Sequence, residues 1–439
     1  MQPSLSSPSN LSREEIALIE VGHTTVSPSL ARACVVAFVA MIMSAPLIEV
    51  VLAGRITGDA SRTPWSILAA RPRDVATGVW ALPGEGAWAR IMAANRTALA
   101  NLTSFESSLE DGSTLGRSLR PPAQLAMTRW LGAGNERVYP GREGWLFYRP
   151  DVEYLTGRGF LEPAALARRS RSGSEWTTAI EPDPRKALLQ LKSELDARGI
   201  ALIVMPIPVK PTIHPGELAA RYRDRSTPLE NPSYAALLED LARAGLLVLD
   251  VSASLANAAL AATQYLATDT HWRPESMELA AEALTSFIAR HVSLPAVPDP
   301  GYRVERVEMQ STGDIVRMLD LPGDQTLYPT ESVWLRRVLE SDSQPWRPSR
   351  NADVLVLGDS FSNIYSLASM GWGDAAGLVE QVSYLLRRPV DRVVQNDQGA
   401  FATRSMLRQP GVDRLAGKRV VIYEFAAREL AFGDWQILK

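Results

Sequence analysis

The chain has 439 residues, 46% of them hydrophobic, a net charge of −3 and a single cysteine. That is enough apolar material for a sizeable core, so global disorder is excluded, and the near-neutral balance argues against a nucleic-acid binder that works through a basic surface. The lone Cys34 excludes an internal disulfide framework, a cysteine-based zinc finger and a CxxC redox centre, and four histidines leave few candidates for imidazole chemistry.

Residues 1–32 are polar and rich in Ser and Pro, as expected of a loose tail. From Ala33 to Ile48 the chain carries no charge; Glu49 interrupts, and VVLAG runs on to Gly54. The uncharged stretch is shorter than the roughly 20 residues that span a bilayer, but 33–54 reaches that length with Glu49 near an interface, which predicts an N-terminal transmembrane signal-anchor. A buried helix is the alternative, because Pro46 and Glu49 suit a membrane poorly. Flanking arginines do not set the orientation: Arg13 and Arg32 precede the segment, and Arg55, Arg62, Arg71 and Arg73 follow it. Residues 55–137 read as a connecting region with a helix around 85–109, and two Asn-X-Thr triplets at Asn95 and Asn101 carry little weight.

A denser region opens at Val138. Its GREGWLF segment, Gly141 to Phe147, reads as a turn entering a strand. Asp183 and Pro184 make an N-cap and first-turn pair for an amphipathic helix ending at Gly199, and the continuous apolar run Ile200–Pro206 predicts a strand buried on both faces. A helix near Ser233–Ala244, a strand at Leu246–Val251 and a helix at Glu275–His291 follow. Residues 296–350 are Pro-rich and read as an irregular insertion. Three more short strands are expected at Val354–Leu357, Arg392–Gln395 and Val420–Phe425. This alternation predicts an α/β domain over 138–439, a mainly parallel sheet flanked by helices, with its site outside the carboxyl ends of the strands.

The sharpest chemical signal is VLVLGDSFS, Val354 to Ser362. An apolar strand ends in Gly358-Asp359-Ser360, and glycine permits a tight turn that lifts the serine from the sheet edge toward backbone N–H donors. The bland reading is that Asp359 or Ser360 caps the next helix. The second signal is YLATDTHWRP, Tyr265 to Pro274, with Asp269 and His271 two residues apart before a helix. A serine needs a base to take its proton, histidine is the usual base near neutral pH, and a carboxylate fixes the imidazole tautomer. Asp-X-His also suits two metal ligands, but no third of matching character is evident, so no metal is expected.

Together these residues resemble the nucleophile block of the SGNH/GDSL hydrolases. With the Asp-His-Trp block upstream of the serine, and the GxxGWLF segment earlier still, they resemble the alginate O-acetyltransferases of the AlgJ and AlgX type, in which the motif order is circularly permuted. The resemblance covers Val138 to the C-terminus and implies an SGNH-like, flavodoxin-like fold, Ser360 as nucleophile, His271 as general base and acid, and Asp269 as the orienting carboxylate. Asn396 and Gly399 stand where a second SGNH block is expected, and the usual third-block asparagine is not recognisable. Tyr365 is a candidate for a substrate hydrogen bond. Lys210 and His214 are candidates for touching an anionic sugar, and Glu424 echoes a family position, with pairing to Arg428 one helical turn on as its alternative. About 14 residues follow the last strand, too few for a carbohydrate-binding module, which is similar to the AlgJ type.

The expectation is an O-acetyltransferase acting on an exported polysaccharide through an acyl-enzyme, without metal or tightly bound cofactor. The resemblance implies a bacterial inner-membrane protein with a periplasmic catalytic domain, and a membrane-bound acyltransferase as acetyl supplier. A carbohydrate acetylesterase with the same triad, and a non-catalytic polysaccharide-binding component of an export complex, are the alternatives.

Overall fold

The computed structural model describes residues 27–56, scattered positions between 86 and 103, and residues 113–171, 180–396, 399–409, 411 and 413–438. The helix expected around 85–109 and the two Asn-X-Thr triplets fall largely outside the described residues. The chain divides into two compact units, Met1–Arg120 and Pro121–Lys439.

In the first unit a helix runs over Pro28–Ile56. Its described side chains extend from Pro28 to Ser44, with Ile48, and Val35, Val36, Phe38, Val39, Met41, Ile42 and Met43 among them are exposed. Among the described residues no helix is long and apolar enough to cross a membrane.

The second unit is built on a five-stranded sheet, every pairing parallel: β3 (Ala201–Ile207), β4 (Leu247–Val248), β7 (Val354–Gly358), β8 (Asp391–Val394) and β9 (Val420–Ala426), in the spatial order β4-β3-β9-β7-β8. Successive side chains of a strand point to opposite faces, and both faces of this sheet are covered. On one side Leu202, Val204, Leu355, Leu357, Val421 and Tyr423 share a core with Ala187, Leu188, Leu191 and Leu195 of the Pro184–Asp196 helix and with Leu237 and Leu241 of the Tyr234–Arg243 helix. On the other, Ile203, Met205, Val354, Val356, Val420 and Ile422 pack with Met277, Ala280, Leu284 and Ile288 of Pro274–His291 and with Val379 and Val382 of Leu378–Leu386. The apolar runs in the sequence are those of strands buried twice over. The Asp183 cap forms as expected, its carboxylate accepting from the Arg185 N–H at 3.1 Å.

The turn expected at Gly141–Phe147 joins a two-stranded antiparallel hairpin, β1 (Val138–Pro140) and β2 (Leu146–Tyr148), with Glu143 and Gly144 at φ of 52° and 85°. The reading of residues 296–350 as irregular is corrected. They contain β5 (Arg303–Ser311) and β6 (Glu331–Leu339), paired antiparallel along their full lengths. The prolines behind that reading lie in the connections, where no ladder hydrogen bond is lost. Val333, Leu335 and Val338 of β6 are buried in the core, so this excursion is fastened to the body.

Candidate active site

The carboxyl ends of β7, β9 and β8 meet around Ser360. Gly358 closes β7, and close packing excludes any side chain there: a Cβ would fall 2.4 Å from Ser362 Oγ and 2.7 Å from Glu424 Oε2. Asp359 caps the short Ser360–Asn363 helix, its Oδ1 accepting from the Phe361 N–H at 2.8 Å and its Oδ2 from the Ala426 N–H at 2.8 Å. The capping role therefore belongs to Asp359, and both of its oxygens are committed. Ser360 is half-buried and lines a small cavity with Asn396, Gly399, Glu424 and Arg428. Among the described residues no hydrogen bond engages the Ser360 hydroxyl.

His271 and Asp269 stand in a loop closed by a bridge between Tyr265 and Trp272. His271 Nδ1 lies 2.6 Å from Asp269 Oδ1, which also accepts the His271 backbone N–H at 3.1 Å. Asp269 Oδ2 accepts from Trp372 Nε1 at 2.8 Å and from the Asp314 N–H at 2.9 Å. The carboxylate is wholly buried and receives four donors, so it is held as an anion. Burial opposes its charge, but the hydrogen bond and charge of His271 and the bond from Trp372 outweigh it and push its pKa well below the ordinary carboxylate range. On the far side of the ring, His271 Nε2 is buried with no hydrogen-bond partner among the described residues. That ring lies 4.9 Å, edge-on, from the ring of Phe361, the residue after Ser360. An imidazole nitrogen left unpaired in a buried setting is costly, and here it belongs to a ring packed against the residue after Ser360. Among the described residues no hydrogen bond joins His271 to Ser360; contacts between an imidazole base and a hydroxyl are often long in free enzymes and tighten on the substrate.

The loop is fastened by groups with no evident signal in the sequence. Glu331 of β6 accepts the Ala267 N–H at 3.0 Å, the Thr268 N–H at 2.9 Å and the Thr268 hydroxyl at 2.8 Å. Asp314 Oδ1 accepts the Thr270 N–H at 2.7 Å, and its Oδ2 stands 3.9 Å from His271 Nδ1. The preceding Gly313, at φ 78°, packs against the Thr268 carbonyl, where a Cβ would come within 2.3 Å. Asp314 is thus the third ligand-type group that the sequence did not reveal: Asp269, His271 and Asp314 offer atoms within 4.8 Å of one another. Both Asp269 oxygens, His271 Nδ1 and one Asp314 oxygen are already engaged with each other and with nearby N–H groups. The cluster serves as a hydrogen-bonded support for the imidazole.

Four sequence candidates are corrected. Lys210 is fully buried and donates to the carbonyls of Leu146 at 2.7 Å and Ala267 at 3.2 Å, tying β2 to the Asp-His loop and leaving no route to a sugar. His214 is buried and accepts the Gln264 N–H at 2.9 Å; burial, with the Lys210 charge, depresses its pKa to about 4. Tyr365 is buried, its hydroxyl donating to the Trp272 carbonyl at 2.6 Å, so it braces the histidine loop and is closed to substrate. Glu424 accepts the Asp359 N–H at 3.1 Å and the Ser362 hydroxyl at 2.5 Å, while Arg428 pairs with Asp151. Burial and the neighbouring Asp359 charge raise the Glu424 pKa well above its usual range, and its hydrogen bonds make it a bracket beneath the Gly358 turn. Asn396 and Gly399 both line the Ser360 cavity, and Asn396 Oδ1 accepts from Asn363 Nδ2 at 2.8 Å.

A pH dependence follows. Burial disfavours imidazolium at His271, but the hydrogen bond and charge of Asp269 and the charge of Asp314 prevail and raise its pKa above 6.5. A histidine with a raised pKa is protonated below that value and is free to act as a base only above it. The acid limb of kcat/KM is therefore expected above pH 6.5. Asp314, lifted to about 6 by burial and by the Asp269 charge, is largely anionic on that limb. Asp314→Asn removes a charge that favours imidazolium, so the limb should move to lower pH in a rate–pH profile; an unmoved limb would contradict this assignment.

Comparison with known proteins places these features in context. A family model described as the SGNH hydrolase-like domain of acetyltransferase AlgX matches residues 138–427. The chain is 28% identical over 231 residues to the probable alginate O-acetylase AlgJ of Pseudomonas aeruginosa, covering 52% of this chain and 53% of that one. To the probable alginate O-acetylase AlgJ of Pseudomonas putida it is 23% identical over 304 residues, covering 68% and 71%. The match thus spans about half the length of the Pseudomonas aeruginosa relative. Among solved structures, the O-acetyltransferase domain of Pseudomonas putida AlgJ superposes with a TM-score of 0.49 at 20% identity, covering 67% of this chain and 92% of that chain. Pseudomonas aeruginosa AlgX gives 0.46 at 16% identity, covering 66% and 61%.

Proposed function

This chain belongs to the SGNH hydrolase-like family of acetyltransferase AlgX, matched over residues 138–427, and from that membership we propose that it transfers acetyl groups to hydroxyls of an exported polysaccharide through an acyl-enzyme on Ser360. His271, with Nδ1 held by Asp269, takes the Ser360 proton at Nε2 as Ser360 attacks an acetyl ester, and returns it to the leaving group. It then takes a proton from a sugar hydroxyl as that oxygen attacks the acyl carbon; the bond from that carbon to Ser360 Oγ breaks, and His271 returns the proton to Ser360, releasing the acetylated sugar. One observation carries the reading: among the described residues His271 Nε2 is buried without a hydrogen-bond partner, on an imidazole whose Nδ1 is held by Asp269 and whose ring packs against the residue that follows Ser360. The curated relatives are named alginate O-acetylases, which supports transfer to a polysaccharide.

The proposal includes a single-pass anchor at residues 33–54, within the Pro28–Ile56 helix, with the catalytic domain on the periplasmic face of the inner membrane and a membrane-bound acyltransferase as acetyl supplier. The exposed apolar side chains of that helix support the anchor, and loss of membrane association on deleting 28–56 checks it. For the chemistry, the purified chain is incubated with an acetyl-ester donor and an oligosaccharide. Acetylated sugar is expected; acetate release without it would assign a carbohydrate acetylesterase instead.

A further inference from the structure

Arg428 lies two residues beyond β9, on the wall of the cavity that contains Ser360. Its guanidinium carbon is 5.3 Å from the centroid of the Tyr148 ring and 5.9 Å from that of Phe361. Nη1 donates to Asp151 Oδ1 at 3.1 Å. Asp151 is fully buried, and its second oxygen has no partner among the described residues. A carboxylate usually grips arginine through two parallel hydrogen bonds. Here a single one fixes the group, and Nε and Nη2 have no acceptor among the described residues. The positive charge is also felt at His271, whose affinity for a proton it lowers. Arg428 is therefore a held cation with spare donors on the wall of the Ser360 cavity, packed against the same Phe361 ring that His271 meets. Elsewhere on the cavity wall stand the carboxyl groups of Asp359, Glu424 and Glu429.

We propose that Arg428, anchored by Asp151, is the oxyanion donor of this site, acting alongside the Ser360 backbone N–H. The assignment rests on the acyl-enzyme reading above. As Ser360 Oγ bonds to the acyl carbon, its proton passes to His271 Nε2 and the carbonyl electron pair moves onto oxygen, which accepts from Arg428. On collapse that pair re-forms the carbonyl, the bond from carbon to the donor's oxygen breaks, and the leaving oxygen takes the proton from His271. A guanidinium does for this oxygen what an asparagine amide does elsewhere, with a full charge in place of a dipole.

The test uses the full chain and p-nitrophenyl acetate, following the acylation burst and the steady state. Arg428→Gln should lower the acylation rate by about 10²–10³-fold with little change in KM, the range for removing one such donor, and Arg428→Lys should fall between it and the parent. Removing the arginine alone strands a buried Asp151, so the double variant Asp151→Asn with Arg428→Gln removes both charges and keeps the fold testable. It should remain as slow as Arg428→Gln. Recovery of the parental rate in the double variant would show that the arginine only neutralises Asp151, and a rate within threefold of the parent in folded Arg428→Gln would overturn the assignment. Ser360→Ala separates the two readings. A burst that depends on Ser360 but ignores Arg428 sinks only the arginine's role, whereas absence of any Ser360-dependent burst sinks the acyl-enzyme and this assignment with it.

Discussion

Ser360→Ala should leave the fold intact and abolish turnover by on the order of 10³-fold or more, the usual cost of losing the nucleophile of an acyl-enzyme mechanism. The two halves of this expectation have separate physical grounds. Ser360 Oγ makes no hydrogen bond to any described residue, and the turn around it is held by other groups: Asp359 caps the helix, Glu424 binds Asp359 and Ser362, and Gly358 gives the close approach. Deleting the hydroxyl removes no support, so thermal stability should stay within about 0.5 kcal/mol of the parent. The same hydroxyl forms the covalent bond in the proposed mechanism. Intact-mass spectrometry after mixing with an acetyl ester should show an acetyl adduct on the parent chain and none on Ser360→Ala. Undiminished polysaccharide acetylation in cells carrying the variant would remove both enzyme readings and leave the non-catalytic binding component.

Asp269→Asn is expected to cost about 10³–10⁴-fold in kcat, through the tautomer of His271. Asp269 Oδ2 faces two donors, Trp372 Nε1 and the Asp314 N–H. An asparagine must turn its oxygen toward them, which points its NH₂ group at His271. The amide then donates to Nδ1, and the ring proton moves to Nε2, where it blocks the lone pair that must accept the Ser360 proton. The NH₂ group also meets the His271 backbone N–H, a donor that loses its acceptor. Imidazole nitrogen shifts by NMR should report the changed tautomer, and the kcat loss should persist at every pH because it does not arise from titration. Retention of kcat within tenfold would mean that Asp269 does not orient the base.

The sheet was legible in the sequence wherever a strand is buried on both faces. β3 and β7 are continuous apolar runs, and β9 is one but for Glu424, because both faces of the sheet are covered, and their observed limits lie within a residue or two of the expected ones. β5 and β6 were not legible, since a ribbon with one face in solvent mixes charged and apolar residues, and prolines flank it. Lys210 and His214 misled for a related reason. Charged and polar residues after a strand suggest a solvated loop, yet here the chain folds over them and uses their polar atoms to tie backbone groups together.

What the sequence determined by itself is the chemistry that depends on neighbours along the chain. Gly358-Asp359-Ser360 places a hydroxyl at a strand end, and Asp269-Thr270-His271 is close enough for a carboxylate to reach the adjacent imidazole nitrogen. Only the tertiary structure decided what holds and completes these groups. Asp269 is anchored from 45 and 103 residues away by Asp314 and Trp372, and Arg428 is held by Asp151 across 277 residues. Such partners share no spacing or periodicity with the motifs they serve. They meet because the parallel strands bring distant loops to one edge of the sheet, and because a buried carboxylate or guanidinium must find its hydrogen bonds wherever packing provides them.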